Sequence, residues 1–264
     1  MIDSTYCRRG EGSPLVLLHS LGERWQIWLP VIDRLSKFHE VMAVDLPRFG
    51  RSPVPYTTTE DGIRAFGVRS LQRIFDHLGV SRPHVAGNGL GGMLAIAAAT
   101  TGMVSSATAL SPTGFWTPAQ RWWVVTHLRL FRWAARACLA TAHPLARYRL
   151  VRNLVMSRLC QHPRRVERAE ALANLAAIRD TPAFDEAIAS TRRFSWRSDQ
   201  QPLVPLTVAW GRRDKMISAR HQANAARLLP EAHLERLARC GHLAMYDDPE
   251  LVADVILRTC ERAG

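Results

Sequence analysis

Lysine is almost missing from this chain. Of its 35 basic residues, only Lys37 and Lys215 are lysines, so the formal charge of +12 is an arginine charge. A composition bias toward Arg, Ala and Gly accounts for it more simply than an anionic partner does. No nucleic-acid-binding motif accompanies the charge, so nucleic acid is not an expected partner. Acidic residues are absent from position 77 to position 166. Cysteine pairs are missing as well. Cys7, Cys138, Cys160, Cys240 and Cys260 are odd in number, scattered and without a C-x-x-C, which removes a disulfide framework and a zinc site. With no leader pattern at Met1-Ile2-Asp3, they are expected to be reduced thiols in a cytoplasmic protein. Long uninterrupted apolar runs are lacking too. Residues 83–120 carry no charge, but Gly, Asn, Ser, Thr and Pro break them up, so no membrane span is expected.

What is present is an alternation of short apolar runs and amphipathic stretches. Residues 15–18, 41–45, 84–88, 104–110, 206–210 and 233–237 read as strands, and the central ones, low in charge, as buried on both faces. Helical spacing occupies residues 25–38, 61–78, 90–100, 218–229 and 249–261. From 114 to 198 the alternation stops, and amphipathic stretches at 122–139, 147–159 and 165–178 take its place. The expected fold class is therefore α/β, a mostly parallel, doubly wound sheet with an inserted helical cap. Its pieces are 1–113 and 199–264 for the core and 114–198 for the insertion.

The stretch Gly87-Asn88-Gly89-Leu90-Gly91-Gly92 joins a strand to an Ala-rich helix and admits two chemistries. As G-x-G-x-x-G it would cradle a dinucleotide phosphate, but the acidic residue required about 20 positions downstream is absent. Neither NAD nor FAD is expected, and no metal. As a nucleophile elbow, G-x-S-x-G, it lacks its serine. The elbow also requires an acid after a later strand and a histidine after the last. Gly211-Arg212-Arg213-Asp214 and Cys240-Gly241-His242 supply both, at loops on the carboxyl ends of strands, where open parallel sheets bind ligands.

Those residues, with "LVLLHSLG", "VMAVDLPRFGRSP", "VAGNGLGG", "VAWGRRDKMIS" and "CGHLAMYDDPE" in that order, resemble the α/β-hydrolase-fold superfamily of the capped serine-hydrolase type. The likeness implies that Asp214 and His242 are the acid and base of a triad and that Gly89 stands at the nucleophile position. It implies that the Leu21 and Leu90 backbone N–H groups form an oxyanion hole, and that His19 positions the oxyanion loop. Three residues depart from the pattern that the resemblance implies: Ser20, where many relatives carry glycine, Arg48, where a small residue is more usual, and Gly89. Glycine adopts the strained elbow conformation without penalty, so the fold survives while the attacking oxygen is lost. Serine restored at position 89 is then expected to create ester hydrolysis. Ser20 and Ser111 are taken as loop residues not aimed at His242, and Asn88 and Gly91 as ordinary turn residues.

Ser20 and Trp116 are candidate pocket residues. The aromatics of 115–133 either roof an apolar pocket or pack the cap on the core. Arg121, Arg129, Arg132 and Arg136 are expected on a solvated face, with weak lipid-surface contact as the lesser alternative. The expected function is hydrolysis of a small, largely apolar ester, lactone or related carbonyl compound without a cofactor, Gly89 reflecting an engineered or a natural loss of serine. Two alternatives stand beside it. One is non-covalent, His242-dependent lyase, cyclase or elimination chemistry; the other is a catalytically dead ligand-binding protein.

Overall fold

A computed structural model of the chain describes residues 2–3, 6–50, 52, 62–140, 149–181, 183–191 and 194–264. Asp61, Arg147 and part of the "PRFGRSP" loop, named above, lie outside them.

Eight strands form one sheet in the order β1-β2-β4-β3-β5-β6-β7-β8. They are β1 (Ile2–Asp3), β2 (Tyr6–Arg9), β3 (Pro14–Leu18), β4 (Glu40–Val44), β5 (His84–Asn88), β6 (Ser106–Leu110), β7 (Leu206–Gly211) and β8 (His233–Leu237). From β4 to β8 every neighbouring pair is parallel, while β1 and β2 are antiparallel additions at one edge. All residues of β6 and β7 are buried, as are four of the five in β3. That burial demands cover on both faces, and it is why these strands carry no charged residue. The helices gather in two groups. The first is α1 (Leu29–Leu35) with the C-terminal helix α10 (Pro249–Glu261); the second is α2 (Gly62–Leu78) with α3 (Leu90–Ala99). The two-residue β1 and the exposed Arg8-Arg9 end of β2 carry little apolar patterning, so neither is predicted from the sequence.

Chain order fixes where a ligand can sit. From β3 the chain moves outward to β4, then returns to the other side of β3 as β5. This reversal opens a crevice at the carboxyl ends of β3 and β5. There the loop after β3 lies against the first turn of α3, with the Gly91 N–H donating to the His19 carbonyl oxygen (3.2 Å). A Cβ on Gly91 would lie 2.3 Å from the Leu18 carbonyl oxygen. The close approach therefore requires glycine, and Gly91 is more than an ordinary turn residue.

Between β6 and β7 the chain inserts α4 (Pro118–Ala140), α5 (Arg149–Met156), α6 (Arg168–Asp180) and α7 (Ala183–Thr191). Arg132 is not on a solvated face. It is 5% exposed, donates to the Thr181 carbonyl oxygen (2.9 Å), pairs with Asp185 (3.0 Å) and lies over the Phe184 ring, which ties α4 to α7. Arg48 pairs with Glu186 of α7 and so joins the loop after β4 to the insertion. The short helix α8 (His221–Leu228) follows β7, and α9 (Ala244–Asp247) precedes α10.

Candidate active site

Three loops at the carboxyl edge converge. Asp214 lies three residues beyond β7, 8% exposed, and its Oδ1 accepts from the Met216 and Ile217 N–H groups (both 2.8 Å). Those two donors fix the carboxylate and leave Oδ2 to accept from His242 Nδ1 (2.8 Å). With its Nδ1 proton on Asp214, His242 presents the Nε2 lone pair to the cavity. The His242 loop is itself clamped. Asp247, 1% exposed, accepts from the Gly241 N–H (2.7 Å) and the Gln161 N–H (2.8 Å). Asn88 Nδ2 donates to the His242 carbonyl oxygen (2.9 Å) and the Leu110 carbonyl oxygen (3.2 Å). Asn88 is thus a buried brace for the histidine rather than a plain turn residue. An amide at the end of a strand carries no mark of that role in the sequence.

Gly89 sits between β5 and α3 with φ 55° and ψ −108°, a backbone conformation that disfavours side chains. A Cβ placed there would lie 3.2 Å from His242 Nε2 but only 2.2 Å from Ser20 Oγ. The Ser20 hydroxyl itself reaches His242 Nε2 at 3.3 Å. Ser20 is therefore aimed at the histidine, contrary to the sequence expectation, and serine at position 89 would require Ser20 to turn away. Linear spacing could not reveal this, because residues 20 and 89 meet only through the packing of the β3 loop on α3. Ser111 remains at the end of β6.

His19 holds the Ser20 loop. Its Nε2 accepts from the Leu46 N–H (2.9 Å), so Nδ1 carries the proton and donates to the Ser20 carbonyl oxygen (2.7 Å). Burial lowers the His19 pKa, which keeps the ring in the neutral form that this pattern needs. The backbone N–H groups of Leu21 and Leu90 donate no hydrogen bond among the described residues. Leu90 opens α3, whose N-terminal dipole favours negative charge. Cys240 is buried, with its thiol pushed up to about 12 by burial, as suits a packed side chain.

The groups open into a cavity of about 620 Å³, counting its solvent-open part, within the range of small-molecule sites. Ser20, Leu21, Leu90 and His242 form its floor, and Trp116, Leu128, Phe131, Ile178 and Phe184 come from the insertion. Trp116 lines it as expected and donates its indole N–H to the Phe194 carbonyl oxygen (2.9 Å). No group of His, Cys, Asp or Glu among the described residues could hold a metal ion.

One cavity residue escapes sequence analysis altogether. Glu23 is 2% exposed, and its Oε2 has no hydrogen-bond partner among the described residues. Burial, then repulsion from Glu170, raises its pKa to about 8, against the opposing pull of Arg24. A glutamate after Gly22 in a turn looks solvated until the insertion covers it.

Residues 15–255 match the model of the alpha/beta hydrolase family. The chain is 25% identical over 271 residues to an uncharacterized protein of Mycobacterium tuberculosis, covering 94% of this chain and 75% of that protein. It is 22% identical over 271 residues to human monoacylglycerol lipase ABHD6, covering 97% and 79%. Naproxen esterase from Bacillus subtilis superposes with a TM-score of 0.72 at 18% identity, covering 96% of this chain and 86% of that one; at that identity the likeness is one of fold.

The Glu23 carboxyl sets a pH signature. Between its ordinary value near 4.5 and about 8, the folded chain keeps a proton that the unfolded chain has lost, so Glu23 costs stability progressively as pH rises through that window. Replacing it with glutamine removes the dependence. In urea titrations, Glu23→Gln should gain on the parent from pH 5 to pH 8 by a few kcal/mol at the order-of-magnitude level. A difference between the two proteins that does not change with pH would contradict a buried, protonated Glu23.

Proposed function

The chain belongs to the alpha/beta hydrolase family, and we propose that it hydrolyses small, largely apolar esters or lactones in the cavity between the sheet edge and the helical insertion. The observation that carries this is the buried His242–Asp214 pair (2.8 Å) at the floor of an apolar cavity, beside two backbone N–H groups able to receive an oxyanion. His242 acts as the base, Asp214 holds its tautomer and orientation, and Leu21 and Leu90 stabilise the tetrahedral intermediate. The esterase and lipase among the similar proteins support the ester class. The residues divide as 1–113 and 199–264 for the core and 114–198 for the cap. No cofactor is required.

A second reading rests on Gly89. With no hydroxyl on the elbow, His242 would remove a proton from substrate or water without a covalent intermediate, as a lyase or cyclase does. A p-nitrophenyl ester series of increasing acyl length separates the two. Hydrolysis is expected, and His242→Ala should lower kcat/KM by roughly 10³-fold or more. No turnover above background, or turnover indifferent to His242→Ala, would contradict ester hydrolysis and favour the second reading.

The outer face of α4 bears on where the substrate comes from. Trp122, Trp123, Leu130 and Trp133 are 58–66% exposed, while Leu128 and Phe131 of the same helix line the cavity. The exposed side also carries Arg129 and Arg136, the latter 3.8 Å from Asp185 of α7, while α4 itself has no acidic residue. An apolar stripe flanked by arginine complements an anionic phospholipid surface, so α4 rests on such a surface with the cavity behind it. No helix among the described residues is long and apolar enough to cross a membrane. In co-sedimentation, phosphatidylglycerol-containing vesicles should bind the chain at least several-fold better than pure phosphatidylcholine, and Trp122→Ala with Trp133→Ala should abolish the difference. Binding that the paired substitution leaves intact, or concentration-dependent self-association that it abolishes instead, would contradict the lipid assignment.

A further inference from the structure

We propose that Ser20 is the nucleophile of this site: the reactive hydroxyl stands on the loop after β3 instead of on the elbow at position 89. This rests on the hydrolase reading above and names the atom that attacks.

Four observations support it. Ser20 Oγ, His242 Nε2, His242 Nδ1 and Asp214 Oδ2 form one chain of hydrogen bonds, 3.3 Å and 2.8 Å long. The tautomer that Asp214 imposes makes Nε2 the acceptor, so the Ser20 O–H points its proton at the base, as an activated serine requires. Second, Ser20 is 5% exposed and lines the cavity, where a bound carbonyl carbon can approach it. Third, its hydroxyl stands 2.2 Å from where a Cβ at position 89 would be, and both points lie within 3.3 Å of His242 Nε2. Glycine at 89 is the residue that leaves this space to Ser20. Fourth, the Ser20 backbone is held: its carbonyl oxygen accepts from His19 Nδ1 (2.7 Å) and from the Glu23 N–H (3.2 Å). A pinned main chain fixes where the Ser20 Cβ stands, and the rotamer present brings its hydroxyl to the imidazole.

The oxyanion donors suit either nucleophile. For an attack from position 89, Leu90 is the residue after the nucleophile and Leu21 is the second donor. For an attack from Ser20, Leu21 becomes the residue after the nucleophile and Leu90 the second donor. The same pair serves with its roles exchanged, because the two loops face each other across one point.

The chemistry balances without any co-reactant but water. Ser20 Oγ bonds to the ester carbonyl carbon as its proton passes to His242 Nε2, and the carbonyl electron pair moves onto the oxygen held by Leu21 and Leu90. Collapse breaks the bond to the alkoxy oxygen, which leaves as the alcohol with the proton from His242. Water then attacks the acyl-Ser20 carbonyl and gives its proton to His242. Ser20 leaves with that proton, and the carboxylic acid is released.

The test is active-site labelling with diisopropyl fluorophosphate, which exchanges its P–F bond for a serine O–P bond and releases fluoride. Intact-mass and peptide analysis of the unaltered chain should show a single adduct on the peptide containing Ser20. Ser20→Ala should abolish the adduct, and His242→Ala should slow it by about 10²-fold or more. An adduct at another residue, or none, overturns the proposal. Ester hydrolysis that depends on His242 yet survives Ser20→Ala also overturns it while leaving the hydrolase reading intact. An adduct on Ser20 in a chain that turns over no ester upholds the nucleophile and counts against the ester class instead.

Discussion

The contact between the loop after β3 and the first turn of α3 is the constraint on which the rest of the site depends. Gly91 has no room for a Cβ against the Leu18 carbonyl oxygen, and its N–H holds the His19 carbonyl oxygen. That contact brings Ser20 and Gly89 to the same point in front of His242. Only one side chain fits there. In this chain the loop after β3 carries the hydroxyl and position 89 carries a bare backbone. A hydroxyl on Ser20 and a bare backbone at 89 are two faces of one packing fact. They explain how a chain without an elbow serine still has an oxygen hydrogen-bonded to its histidine.

Around that point the structure spends its buried polar groups on rigidity. Asp214 is fixed by two backbone N–H groups, His242 is braced from behind by Asn88, and Asp247 holds Gly241. Each acceptor is satisfied by a neighbour of defined position, which is how a site keeps its geometry before substrate arrives. Glu23 differs. It lines the same cavity, its buried Oε2 has no hydrogen-bond partner among the described residues, and an unpaired buried carboxyl is costly. Burial resolves that cost by protonation, which leaves a neutral donor and acceptor at one end of the cavity.

The fold was largely legible because strands buried on both faces exclude charged residues, and β3, β5, β6 and β7 contain no Asp, Glu, Lys or Arg. β8 and α10 were legible to the residue, and in the structure the Asp248 side chain caps the helix that Pro249 opens. The Asp214–His242 pair was legible through chain order, since each follows a strand that had to end at the ligand-binding edge. What was hidden depends on contacts between distant residues. Ser20 looked like a loop serine because nothing local says that position 89 lacks a side chain beside it. Asn88 and Glu23 take their roles from groups that fold over them, and Arg132 is buried by α7, which helical spacing alone placed on the solvent side.

If residues 20 and 89 share one site, their substitutions must be coupled, because additivity fails for residues in contact. The most direct measurement is a double-mutant cycle of unfolding free energy for the parent, Ser20→Gly, Gly89→Ser and the two together. Gly89→Ser alone should destabilise the chain through its clash with the Ser20 hydroxyl, and adding Ser20→Gly should recover about 1–3 kcal/mol of that loss. Effects that simply add, within about 0.5 kcal/mol, would contradict a shared site and with it the relocated nucleophile.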